Sequence, residues 1–151
     1  MIKAQIWEIA VVDRFKPLIS TFYRGAMGAL LVYDITQHRT FEQIDRWLQE
    51  LRAHAESNIV IMLAANKTDL AHLRAVTRAD GVAFAEEHVL SFIETYACDG
   101  SNVDEAFQQT LKKIYGIISA TDEDEGGDGE FSAGVEVVLE EVEKQTDVSG
   151  C

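Results

Sequence analysis

Residues 59–69 read Ile59-Val60-Ile61-Met62-Leu63-Ala64-Ala65-Asn66-Lys67-Thr68-Asp69. The first seven carry no charge and are rich in branched side chains, as expected of a strand buried on both faces of a parallel sheet. The four polar residues that follow stand at the carboxyl end of that strand, where open α/β sheets bind ligands. Their chemistry suits guanine. An Asp carboxylate accepts two parallel hydrogen bonds from the ring N–H and the exocyclic amino group, a donor pair that adenine lacks. An Asn amide can bond the base edge, and a Lys stem can lie over the ring with its charge in water. The same residues also suit a helix-capping turn, because Asn and Asp favour such positions. On the tetrapeptide alone the turn is the preferred reading.

Outward from this strand, strand and helix patterns alternate. Residues 2–7 alternate apolar and polar and read as a strand; Ala29–Tyr33 is a second buried strand ending at Asp34. Thr40 with Gln43 forms a capping box for a helix carrying Phe41, Ile44, Leu48, Leu51 and Ala55 at helical spacing. Thr77 and Asp80 start another helix running to about His88. Leu90–Glu94 is a fourth strand. Asn102 caps a last helix with the stripe Val103, Phe107, Leu111, Ile114 and Ile118. The order predicts an α/β fold with a mostly parallel sheet and flanking helices.

The net charge of −13 over 151 residues is unevenly spread. Residues 121–151 hold eleven acids against one base, Lys144; the body, residues 1–120, is nearly balanced. There is no basic stripe, which disfavours nucleic acid as a partner, and no polybasic membrane anchor. The two cysteines, Cys98 and Cys151, offer neither a disulfide framework nor metal-ligand spacing, so the expected compartment is the reducing cytoplasm and no metal site is assigned. No stretch is long enough to span a bilayer. The tail, residues 121–151, reads as an acidic, largely disordered segment, in which Val135, Val138, Leu139 and Val142 would line one face of a short helix, marginal alone.

With this order in place, the chain resembles the Rab small GTPases of the Ras superfamily, most closely the Rab-eleven subgroup, RabA in plants. Ala4-Gln5-Ile6-Trp7 is similar to the strand leading into the family's second switch, and Tyr23-Arg24-Gly25-Ala26 to the signature after it. Gly28-Ala29-Leu30-Leu31-Val32-Tyr33-Asp34-Ile35-Thr36 matches the following strand nearly word for word. Ser57-Asn58-Ile59-Val60-Ile61-Met62 and His72-Leu73-Arg74-Ala75-Val76 match the subgroup. Asn66-Lys67-Thr68-Asp69 resembles the guanine-specificity motif, and Glu94-Thr95-Tyr96-Ala97 its second base-contacting loop. The match covers about residues 2–119, a partial small-GTPase domain. It implies a Ras-like GTPase fold and GTP or GDP as ligand. In it Asn66 would bond the base edge and tie the base loops together, Lys67 would cover the ring, Asp69 would take the paired donors, and the Ala97 N–H would meet the guanine carbonyl. Tyr96 stands where the family has a small serine, beside the base.

The departures lie on the phosphate side. The spacing G-x-x-x-x-G-K-[ST], whose N–H groups cradle phosphates, whose Lys neutralises them and whose hydroxyl holds magnesium, occurs nowhere in the chain. The strand, loop, helix and first switch that open the family's domain are not matched, so the reading is of a truncated copy. The second switch is degenerate. Glu8 stands for the magnesium-site aspartate, one methylene too long. Val11 replaces a glycine that approaches the terminal phosphate, and Val12 replaces the glutamine that orients the attacking water. No catalytic residue is therefore assigned, hydrolysis is expected to be lost, and the magnesium lacks its ligands. In the family the missing strand lies between those of residues 2–7 and 29–33, so its loss is expected to leave two open inner edges or force them to re-pair. Cys151, alone at the end, is either a remnant of the family's lipidated cysteines or incidental.

The resemblance implies a Rab-type GTPase homologue in vesicle-mediated trafficking, with Rab effectors or regulators as partners and endosomal or trans-Golgi membranes as the place of work. The alternatives are a non-enzymatic interaction module, using an aromatic surface around Trp7, Phe22 and Tyr23 where Rab effectors dock, and a non-functional truncated fragment.

Overall fold

Two charge-free runs form the middle of the sheet. In the computed structural model, which describes residues 3–10, 16–122 and 134–141, β1 spans Lys3–Ala10, β2 Gly28–Asp34 and β3 Val60–Asn66. β2 and β3 pair in parallel from Gly28 opposite Val60 to Asp34 opposite Asn66, and every residue of both is buried. β4 (Ser91–Glu94) pairs in parallel with the other edge of β3. The helices are α1 (Lys16–Tyr23), α2 (His38–Glu42), α3 (Ile44–His54), α4 (Arg78–Glu87) and α5 (Val103–Asp122).

Because side chains alternate along a strand, β2 and β3 build a core on each face. Ala29, Leu31 and Tyr33 join Ile61, Leu63 and Ala65 under α3 and α4, packed with Ile44, Leu48 and Leu51. Leu30, Val32, Met62 and Ala64 meet Ala106 and Ile114 of α5 on the opposite face, with Phe107, Leu111 and Ile118 against them. Each fully buried leucine stabilises the fold by about 2 kcal/mol relative to exposure. The architecture is the mixed α/β, Ras-like one that the sequence implied.

Two caps differ in outcome. Thr77 and Asp80 form the expected reciprocal box at α4. Thr40 does not cap: it lies inside α2, where its hydroxyl accepts from the Asp34 N–H at 3.0 Å and donates to the Gln37 carbonyl at 2.8 Å. A cap there would have left the buried end of β2 without this hydroxyl. The chain turns at Gln43 and resumes as α3. Asn102 precedes α5 as expected, but its side-chain amide donates to the Glu94 carbonyl at 2.8 Å. Pro17 falls in the first turn of α1, where a missing N–H costs nothing.

The tail supplies the main correction. Residues Gly134–Glu141 form a strand, β5, and not the short helix that Val135, Val138, Leu139 and Val142 suggested. β5 lies between β1 and β2 and is parallel to both, giving the order β1-β5-β2-β3-β4. It pairs Lys3 through Ala10 on one side and Gly28 through Val32 on the other. The two inner edges are neither open nor paired with each other, because the chain's own C-terminal strand fills the place between them. The reason is non-local: two rows of unpaired N–H and C=O groups outweigh the weak helical preference of a valine-rich octapeptide. The expected disorder of the acidic connector falls on residues 123–133, and that of the last residues on 142–151; both lie outside the described residues. Thr121 and Asp122 belong to α5.

Val89 is a strained point. It sits at φ +58° and is 92% exposed. A β-branched residue in the left-handed region is a true outlier with no packing here to compensate. Val89→Gly is expected to raise stability by about 1 kcal/mol, and a thermal melt that does not move upward would contradict this.

Candidate functional site

The carboxyl ends of β2, β3 and β4 meet at one edge of the sheet. Asn66 ends β3 and is 8% exposed. Its Oδ1 accepts from the Thr95 hydroxyl at 3.3 Å and from the Ala97 N–H at 3.1 Å. One side chain thereby joins the end of β3 to the loop after β4. Two further links fasten that loop: the Thr95 carbonyl accepts from the Thr68 N–H at 3.3 Å and from its hydroxyl at 3.1 Å. The loop-tying role implied for Asn66 has this geometry. The Ala97 N–H is spent on Asn66, so a guanine carbonyl at that point would have to share it.

Lys67 follows at φ +67°, ψ +39°, a left-handed turn that swings its side chain back across the sheet end. Its Nζ lies 3.1 Å from Asp34 Oδ2 at the end of β2. Asp34 also accepts from the Thr36 N–H at 2.8 Å and the Thr36 hydroxyl at 2.6 Å, and from Gln37 Nε2 at 3.4 Å. Burial pushes the Asp34 carboxyl up, but the two Thr36 hydrogen bonds and Lys67 outweigh it and hold the group below its usual 3.8. A depressed carboxylate contributes stability that is present above its unfolded-state pKa and is lost as pH falls through the folded one. Stability is therefore expected to decline below about pH 4, and Asp34→Asn to flatten that part of the curve in urea melts; an unchanged acid limb would refute the assignment.

Asp69 opens the short 3₁₀ segment Thr68–Leu73 and is exposed. Among the described residues nothing hydrogen-bonds its carboxylate, so both oxygens can accept. The Asp69 charge is the main cause that raises the Tyr96 phenol above its ordinary value, with burial next. Tyr96 therefore lies within electrostatic reach of Asp69. Glu94, at the end of β4, is gripped by Arg74 at 2.9 Å and Arg78 at 3.7 Å.

The structure thus brings Asn66, Lys67, Asp69, Tyr96 and Ala97 together at one edge. It does not bring Glu8 there: Glu8 is exposed in β1, with β5 between its strand and β2. Val11, Val12 and Cys151 lie outside the described residues. Sequence reasoning gave no site role to Asp34, and had Thr95 only as a member of the loop Glu94-Thr95-Tyr96-Ala97. The signal for Asp34 was present, a charge closing an apolar strand, as it was for Asn66. Among the described residues no three His, Cys, Asp or Glu side chains are grouped to hold a metal, and no helix is long and apolar enough to cross a membrane.

Asp69 offers the paired acceptors, while Lys67 is committed to Asp34. The sequence matches the model of the Ras family over residues 1–116. It is 57% identical over 128 residues to GTP-binding protein ypt3 of Schizosaccharomyces pombe, an overlap covering 85% of this chain and 60% of that one. It is 58% identical over 118 residues to Ras-related protein Rab2BV of Beta vulgaris, covering 78% and 55% respectively. The chain thus spans little more than half the length of these relatives. Matched over most of its length, and carrying the parallel sheet and base-loop geometry described above, the chain belongs to the Rab branch of the Ras family of small GTPases.

Proposed function

We propose that this chain is a guanine-recognising Rab-type domain that serves vesicle-mediated trafficking, of the Rab-eleven kind, and that its own residues do not hydrolyse GTP. The observation that carries the reading is the Asn66 bridge to Thr95 and Ala97, with the exposed Asp69 carboxylate beside it. That bridge fixes the two base loops before any ligand arrives, which lowers the cost of ordering them. Support for lost hydrolysis comes from Glu8, Val11 and Val12 in the second-switch positions and from the sequestering of Lys67 by Asp34. The working place proposed is the cytoplasmic face of endosomal or trans-Golgi membranes, with Rab effectors or regulators as partners.

Calorimetry with guanosine and adenosine tests the base preference. Guanosine is expected to bind at least tenfold tighter; equal affinities would sink the proposal. Purified protein is expected to release no phosphate from GTP above a heat-killed control, and magnesium-dependent turnover would contradict that.

A second reading, an interaction module, has one observation in its favour. Trp7 and Phe22 are each 38% exposed with ring centroids 5.5 Å apart, an apolar pair open to a partner. Tyr23, grouped with them in the sequence reading, is wholly buried in the core. A pull-down in which Trp7→Ala keeps every partner would remove this reading.

A further inference from the structure

Two successive residues at the end of β3 are anchored in opposite directions. Asn66 reaches toward β4, to Thr95 and Ala97. Lys67 reaches toward β2, with its Nζ 3.1 Å from Asp34 Oδ2. Asp34 is itself fixed. Its N–H donates to the Thr40 hydroxyl at 3.0 Å, and it stands opposite Asn66 in the ladder. Its Oδ1 accepts from the Thr36 N–H at 2.8 Å and from the Thr36 hydroxyl at 2.6 Å. That leaves Oδ2 for Lys67, with Gln37 Nε2 at 3.4 Å.

Lys67 loses freedom twice in this arrangement. Its backbone is held at φ +67°, in the left-handed region that a residue with a Cβ avoids. Its side chain, 24% exposed against 11% for Asp34, gives up the rotamer freedom that a lysine in water keeps. The Asp34 carboxylate does not need the lysine to be satisfied, since Thr36 already donates two hydrogen bonds to it. A single, partly exposed ion pair is also a weak source of stability. Strain that stability does not explain points to function. The gain here is geometric. With the Lys67 Cα fixed by the turn and Nζ by Asp34, the four methylenes are held between the ends of β3 and β2, about 5 Å apart.

We infer that Asp34 is a positioning residue for guanine: it holds Lys67 so that the lysine stem stands as a preformed wall for the face of the base. The inference rests on the guanine preference proposed above and adds the residue, outside the base-reading motif, that orders one side of the site. A stem already ordered loses little more on covering a ring, whereas an untethered lysine loses its rotamer freedom at the moment of binding. The wall is apolar along its length and neutralised at its tip, which suits the flat face of an uncharged base.

Calorimetry of the full chain with guanosine tests this in a double-mutant cycle of Asp34→Ala, Lys67→Ala and the two together. Each single change is expected to weaken guanosine binding about fivefold, and the double variant to bind no more weakly than Lys67→Ala alone. Should Asp34→Ala fail to melt cooperatively, Asp34→Asn takes its place in the cycle, since it keeps an oxygen for Thr36 and removes the charge facing Lys67. Nuclear relaxation of the Lys67 ammonium nitrogen adds a readout that a purely structural role would not move: the group is expected to be ordered in the parent protein and mobile in Asp34→Asn. Parent-like affinity in either single variant overturns the inference and leaves the guanine preference standing. So does a loss from the Asp34 change that persists in the Lys67→Ala background, or a lysine equally mobile in the parent. Adenosine binding as tightly as guanosine, or no guanosine binding by the parent, overturns the preference itself, and this inference with it.

Discussion

Gly81→Ala is expected to lower stability by about 2–3 kcal/mol, although alanine is the better helix former. Gly81 is buried in α4, and a methyl group there would lie 2.5 Å from the Tyr33 hydroxyl and 2.7 Å from Phe92 Cε2. Both neighbours are aromatic side chains held by the sheet, and Tyr33 is 1% exposed. The hydroxyl is also unsupported, since no partner accepts from it or donates to it. Burial, followed by the charge of Glu94, pushes its pKa up to about 12 from 10. Tyr33→Phe alone should then be close to neutral, because it removes a buried polar group that has no hydrogen bond. Combined with Gly81→Ala it should recover part of the loss, the share due to the hydroxyl. A double-mutant cycle on chemical denaturation measures this coupling, and strict additivity would show that the two sites do not meet. The raised pKa carries its own sign. A phenol with a folded pKa above the unfolded one contributes stability that is intact below pH 10 and lost between 10 and 12. Two pKa units correspond to about 3 kcal/mol, so Tyr33→Phe should remain folded further into that range than the parent protein.

Asn66→Ala is expected to cost about 2–3 kcal/mol and to free the loop after β4. The substitution strips the only described acceptor from two donors, the Thr95 hydroxyl and the Ala97 N–H. Thr95 is 6% exposed, so water does not easily replace the lost oxygen, and an unsatisfied buried donor carries the full desolvation penalty. Faster amide exchange at Ala97, with the central strands still protected, is the local signature. Guanosine binding should vanish with it. If Ala97 exchange and the melting curve both stay put, the bridge is not what fixes the base loops.

How much of this was readable beforehand follows from how local each feature is. β2 and β3 announce themselves because a long charge-free run, closed by a polar residue, has one stable home, the middle of a sheet covered on both faces. The stripe on α5 and the Thr77–Asp80 box depend on residues three or four apart, and both appear as expected. Thr40 misled because the box pattern is local, while its hydroxyl is taken by Asp34, six residues back across a turn. The candidate site was half legible. Polar residues closing an apolar strand singled out Asn66, Lys67 and Asp69 as candidates. That Asn66 would hold Thr95 and Ala97, and that Lys67 would turn to Asp34, required the fold to bring separated segments together.

The sequence by itself determined the family, the parallel sheet and the polar carboxyl end of β3, because each is written in contiguous residues whose spacing matches a single backbone period. Only the tertiary structure decided the place of Gly134–Glu141. Its valines, spaced for either a weak helix or a strand, carry too little local preference to choose. The open ladders of β1 and β2, more than a hundred residues away in sequence, chose for them.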